Sequence, residues 1–309
     1  MPKRYVRKLA MLAKIETTYG VDAAPTGAAN AILMTQASIE PMAGSEESRN
    51  LLLPWLGHQG VVLTGQHVVI EGMVEVAGAG AAGSAPGYGP LLRACGMAQT
   101  IVAGVSVDYD PVSAGYEALT CYYNLDGVRH IVLGARATVS VDLSAQKIPH
   151  FRFRIVGLLG TISDAVLPVP IVTAFQTPRV VSNANTDFSI HGFSGIAEQL
   201  SIDLGNQVEP RLLVGAESVE IVDRQSTGSV TLEANLMAAK NWFEIADLRT
   251  RGALSIVHGT EVGNIVEFTA PTVEVGRPSH GDSQGILSYN LSLMLCANLG
   301  NDELKISVR

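Results

Sequence analysis

The residues best placed to do chemistry are the glycines of Gly78-Ala79-Gly80-Ala81-Ala82-Gly83, which match G-x-G-x-x-G. In a dinucleotide site that spacing closes a tight turn after a strand and lays helix N-terminal amides on a pyrophosphate. Here Ser84-Ala85-Pro86-Gly87 follows instead of a helix, so the run reads as a flexible Gly/Ala loop. The histidines (His58, His67, His130, His150, His191, His258 and His280) are scattered, with neither H-E-x-x-H nor zinc-finger spacing to a cysteine. Asp108-Tyr109-Asp110 lacks the later ligands of a calcium loop and reads as a turn. Ser84 and Ser194 stand beside glycines without completing G-x-S-x-G. Asn290-Leu291-Ser292 is a formal glycosylation sequon, but it falls inside an expected strand. Nothing in the spacing asks for an enzyme, and no cofactor or metal is expected.

Most of the chain has the periodicity of strands. Val68–Val76 and Ala137–Leu143 alternate in part, and Phe151-Arg152-Phe153-Arg154-Ile155 alternates strictly. Asp126-Gly127 sits between two strand-like runs, where glycine gives a hairpin its positive φ. Two helices are expected. One spans about Asn235–Leu248, with Leu236, Ala239, Phe243 and Ala246 on one face, Trp242 adjacent, and Asn235 as cap. A shorter one lies near Tyr88–Gly96, where Gly96 can stop it. The expected fold is mainly β, an α+β or β-sandwich arrangement with one flanking helix per unit.

The two halves carry these signals in the same order. Leu53–Gly57, Val68–Val76, the helix near Leu91–Cys95, Ala118–Thr120, Gly127–Val132 and the apolar strand Phe151–Leu159 come first. Leu212–Gly215, Val219–Ile221 with Gly228–Glu233, the helix of Leu236–Leu248, Ala253–Ser255, Gly263–Val266 and Ile286–Leu295 follow. Two tandem domains, 1–164 and 165–309, are therefore expected, with a boundary near Ser163–Pro170. A doubled unit lets three chains supply six near-equivalent wedges to a ring.

Charged residues make up 16% of the chain, against roughly 25% in a typical soluble domain. Mean hydropathy is +0.25. A monomer of this composition shows much apolar surface, so burial between subunits is expected. The apolar loops are the places to look: Gly44–Val62, with Leu51, Leu52, Leu53, Trp55 and Leu56, and Asn206–Ser218, with Pro210, Arg211, Leu212, Leu213 and Val214. Residues 1–14 hold Lys3, Arg4, Arg7, Lys8 and Lys14 and no acid, on a chain of net charge −8. A basic arm on an acidic body suits docking on a neighbouring copy. The acidic body argues against tight binding of nucleic acid, which needs Lys and Arg to neutralise phosphates. Lys14 and Glu16 cut short the apolar run after the basic residues, so no secretory leader is expected. No stretch is long and apolar enough to span a bilayer; the best, Ala165–Phe175, is broken by Pro168 and Pro170. Cys95, Cys121 and Cys296 read as buried free thiols.

Ile15–Gly27, Ala77–Gly96, Pro210–Gly215, Thr227–Glu233 and Gly300–Leu304 together carry a family likeness. In these stretches the chain resembles the major tail tube proteins of long, non-contractile-tailed bacteriophages, in an internally duplicated form. The resemblance implies β-sandwich or barrel-like units whose strands join across subunits around a lumen. It implies rings stacked into a tube, loops plugging one ring into the next, other tail proteins as partners, and passage of DNA without tight binding. The location it implies is the virion tail, after assembly in the host bacterial cytoplasm. Trimeric pseudo-hexameric rings suit the doubling; a hexamer is the alternative. Under this reading, Leu51–Leu56 and Pro210–Val214 contact the next ring, and Glu71, Glu75 and Glu233 are lumen-facing candidates. The rival reading is a receptor- or carbohydrate-binding β-sandwich of the tail tip.

Overall fold

The computed structural model describes residues 3–309. Its first half contains β1 (Leu9–Ile15), β2 (Ala31–Ile32), β3 (Thr35–Ser48), β4 (Val61–Glu75), α1 (Gly89–Ala94), β5 (Met97–Val102), β6 (Ser106–Pro111), β7 (Leu119–Leu125), β8 (Val128–Ser144) and β9 (His150–Asp164). An irregular crossing leads to β10 (Thr186–Ile190), β11 (Ala197–Asp203), β12 (Asn206–Leu213), β13 (Ala216–Arg224) and β14 (Thr227–Glu233). The chain ends with α2 (Trp242–Asp247), β15 (Arg251–His258), β16 (Val266–Val275), β17 (Ser279–Ser283), β18 (Ile286–Leu295) and β19 (Lys305–Val308). Among the described residues the fold is mainly β with two short helices, and a mainly β fold is as expected.

Pairing follows one plan in each half. The first half runs β2-β1-β7-β8-β9-β4-β3. The second runs β10-β15-β16-β18-β14-β11, and β17 continues the line of β16 along β18. Every ladder is antiparallel. Among the described residues, strand pairing joins the halves through β8 with β11 and through β6 with β19. Asp126 and Gly127, at φ 33° and 98°, make the two-residue turn between β7 and β8, as the Asp-Gly pair predicts.

The apolar strand faces of the two halves enclose one main core. Ile70, Val74, Phe151, Phe153, Val141, Leu200, Val230, Leu232, Leu291 and Leu293 all line it. Phe151 is its meeting point: its ring lies 5.1 Å from Tyr88 beside α1 and 5.8 Å from Phe268 of β16 in the other half. Cys95 and Cys121 are fully buried, and desolvation raises both thiols, Cys121 to about 12. They are inert at neutral pH. Cys296, expected to be buried, is partly exposed.

Three expectations need correcting. The helix Asn235–Leu248 is only Trp242–Asp247, and its cap is Asn241, whose side chain accepts from the Glu244 amide. Asn235 instead closes a turn, donating to Leu236 and Lys240 carbonyls and accepting from the Trp242 indole. Asp108-Tyr109-Asp110 lies in β6, with Tyr109 buried and Asp108 paired to Lys305 of β19 at 2.8 Å. The glycine run is held rather than free. Gly78 and Gly80 amides donate to Asn264 and to the Gly263 carbonyl, and a Cβ on Gly78 would sit 2.1 Å from that carbonyl.

The buried His258 ties the crossing to β15. One ring nitrogen meets the Thr186 hydroxyl at 2.8 Å and the other the Arg179 carbonyl at 3.1 Å. Burial lowers its pKa, and burial also lowers that of His191. The unfolded rings, with pKa near about 6.5, therefore bind protons first as pH falls. Stability is full above that pH and declines below it. The midpoint of urea unfolding should drop between pH 7 and pH 5, and less steeply in His258→Gln.

Candidate functional site

Among the described residues, no group of three or more His, Cys, Asp or Glu could hold a metal ion. The feature that stands out is a surface. Eight strands run side by side in the order β3-β4-β9-β8-β11-β14-β18-β17. Residues opposite each other in these ladders share a face. One face is the core. The other carries rows such as Ser38–Glu71–Arg154–Thr138 and Asp142–Ser201–Ser229–Ser292.

This second face is polar and net acidic. Glu40, Glu71, Glu75, Asp142, Asp203 and Glu233 stand on it against Arg152 and Arg154. Each arginine is occupied: Arg152 bonds Asp142 at 2.5 Å, and Arg154 lies 3.6 Å from Glu71. The remaining carboxylates set the sign of the field along the ladder. Glu71, Glu75 and Glu233 are thus together on one surface, although two come from β4 and one from β14.

The apolar "loops" are largely hairpin arms. β3 extends to Ser48 and β4 starts at Val61, so only residues 49–60 form a loop. In the second half, Pro210–Leu213 is strand, and the turn is Val214-Gly215, between β12 and β13. Backbone pairing explains the difference: bulges in each arm break the alternation that strand reading relies on. The tips are bare. Leu52 and Leu56 are 101% exposed, Trp55 67% and Val214 108%; Leu51, Leu53, Arg211 and Leu213 are exposed too, while Pro210 and Leu212 are half-buried.

The stem of the β12–β13 arm lies across the first half. Val208, Val219 and Ile221 pack on Val69 and Val156. A buried arginine fastens it. Arg136 of β8 donates to the Val219 carbonyl at 2.7 Å and to Glu220, between the rings of Tyr19 and Tyr116. The Tyr19 hydroxyl accepts from the Val219 amide at 2.6 Å and donates to the Gly134 carbonyl. Arg136→Met removes the charge and orphans the carbonyl, at a cost of about 2–4 kcal/mol. Urea unfolding should show that loss, and limited proteolysis should cut faster near Val214.

The basic N-terminus folds partly on its own chain. Arg4 lies 3.4 Å from Asp164, and Lys8 lies 3.9 Å from Asp126. Lys3 and Arg7 are exposed. Lys14 belongs to β1 rather than to the arm, and it donates to the Ala23 carbonyl at 2.9 Å. The projecting segment therefore stops before Leu9.

The family model described as phage tail tube protein matches residues 7–292. The chain belongs to that family. No curated protein matches it. It is a structural tail tube subunit of the virion tail, a role that implies assembly of many subunits with other tail proteins. No helix is long and apolar enough to cross a membrane among the described residues.

One signal for this ladder stands in the sequence and escapes periodicity reading. Gln36-Ala37-Ser38-Ile39-Glu40 of β3 and Gln199-Leu200-Ser201-Ile202-Asp203 of β11 share a pattern. Each segment borders its partner strand in the ladder at the corresponding place. Comparing the halves residue by residue, rather than by apolar spacing, finds it.

Proposed function

We propose that three copies of this chain close into a ring whose wall is the eight-stranded ladder repeated three times, its polar face lining a lumen for DNA. The carrying observation is that ladder: one face is core, the other is acidic, and its outermost strands β3 and β17 each have a single partner among the described residues. The same reading divides the chain into two tandem domains, 1–164 and 165–309, which the shared strand-pairing plan of the two halves supports. Each half then serves as one of six wedges.

Size favours a wall built from several chains. Twenty-four strands about 4.8 Å apart and tilted about 40° close a cylinder about 48 Å across at the backbone. Side chains reaching inward about 5 Å leave a bore of about 38 Å. Glu71, Glu75 and Glu233 would face it. Carboxylates release no counterions from phosphate, so DNA would pass without being held. The tips at Leu51–Leu56 and Pro210–Val214 would plug into the next ring, a head-to-tail contact that does not close and so builds a tube. Lys3, Arg4, Arg7 and Lys8 would dock on an acidic neighbour.

Electron microscopy of the purified chain tests this reading. Hollow tubes with a bore near about 40 Å are expected. A bore near twice that width would indicate six chains per ring. Dispersed monomers at every concentration would refute the reading.

A further inference from the structure

The joint between the two halves is built from two strand segments, each with a counterpart in the other half. Within the chain, Ser140–Ser144 of β8 pairs antiparallel with Gln199–Asp203 of β11, with Val141 opposite Ile202. Each partner has a counterpart in the other half. Gln36–Glu40 of β3 matches Gln199–Asp203 in sequence and also in burial: Ala37 and Ile39 turn inward, as Leu200 and Ile202 do. Ser279–Ser283 of β17 matches Ser140–Ser144 by position. Val141 opposes Phe151, which meets Tyr88 beside α1; His280 opposes Tyr289, which meets Phe243 of α2.

Both counterparts lack the second neighbour their equivalents have. β3 pairs only with β4, and β17 only with β18, among the described residues. Val141 and Leu143 are buried, whereas His280 and Asp282 are exposed. The arms repeat the contrast. Val219 and Ile221 of the second arm are buried on Val156. Val61 and Leu63, at the corresponding place on the first arm, are 42% and 47% exposed. Met294, which pairs with Thr227 as Val156 pairs with Val69, is 39% exposed. An unpaired edge, an unseated arm and an unfilled seat thus occur together.

We propose that β17 of one copy pairs antiparallel with β3 of the next in the register of the internal joint, with Ile39 opposite His280, Ser38 opposite Gly281 and Glu40 opposite Ser279. In the same contact, Val61 and Leu63 of the incoming arm cover Met294 of its neighbour. The occupant is a second copy of this chain, because the sequence that completes this joint internally is repeated on the chain's own free edge. Pairing removes the two edges that would otherwise recruit strands at random. The inference rests on the tube reading and adds the edges and the register.

Cysteine pairs test it in a Cys296→Ser background. Residues directly opposite in an antiparallel ladder lie within disulfide reach, and those two further along do not. Ile39→Cys with His280→Cys should give, on mild oxidation of assembled tubes, a covalent ladder of chains up to the ring size. Either single variant should give none, and Ile39→Cys with Asp282→Cys should give little. Glu40→Cys with Ser279→Cys, both exposed in the subunit, repeats the test without touching the core. Normal tubes by microscopy with no cross-link at either pair, or with equal cross-linking out of register, would overturn the edge assignment and leave the tube reading intact. Absence of any tube from the unsubstituted chain would overturn both.

Discussion

Replacing Leu52, Leu53 and Trp55 by Ser is expected to abolish tubes while leaving the subunit as stable as before. These side chains are exposed in the single chain, Leu52 completely, so the fold loses nothing when they become polar. Surface changes of this kind usually alter stability by no more than about 0.5 kcal/mol. In the stacked assembly the same groups would be buried. Each apolar side chain withdrawn from water is worth roughly 1.5–3 kcal/mol, and each ring would repeat the contact in every copy. A loss of several kcal/mol per chain, multiplied around a ring, leaves no stacking at accessible concentrations. Melting of the variant should match the parent, and microscopy should show isolated rings or subunits. Full-length tubes at parental yield would remove the tip from the axial contact.

Phe151→Ala should have the opposite signature: a subunit that itself comes apart. Phe151 is fully buried, and its ring touches Tyr88, Phe153 and Phe268. It sits on β9, central in the first half's sheet, and meets β16 of the second. Truncation leaves a cavity that neighbouring strands cannot close, at a cost of about 3–5 kcal/mol. Since a domain's whole stability is about 5–15 kcal/mol, soluble yield should fall sharply. Urea unfolding measures the loss. Phe151→Leu should recover most of it. A single transition in both proteins would show that the halves unfold together, as their shared core requires.

Local chemistry made parts of this fold legible in the sequence. Asp126-Gly127 marked its turn because positive φ is costly for other residues. Phe151–Ile155 marked a two-faced strand by strict alternation, and Ile286–Leu295 is a strand over its whole length. Long-range features were not legible. β6 pairs with β19 nearly two hundred residues away, so Asp108-Tyr109-Asp110 looked like a turn although Tyr109 points into the core. The hairpin arms looked like loops because bulges interrupt their alternation. Helix α2 looked twice its length because the turn after Asn235 places apolar residues at helical spacing, yet its backbone bonds stop at Lys240 and do not run on into α2. The site itself was half visible. Glu71, Glu75 and Glu233 share a face, but nothing local says that β4 and β14 belong to one ladder. That depends on the β8–β11 joint, which brings together residues about sixty apart. Arg136, invisible to periodicity, is identified only by what lands on it.

Cryo-electron microscopy of tubes assembled from this chain, read for copies per ring and for the strands of the inner wall, tests the central claim most directly. Three chains, twenty-four strands and alternating non-identical wedges, with β17 of each chain beside β3 of the next, is the predicted result. Six chains per ring, or a wall in which the polar ladder faces outward, would contradict it.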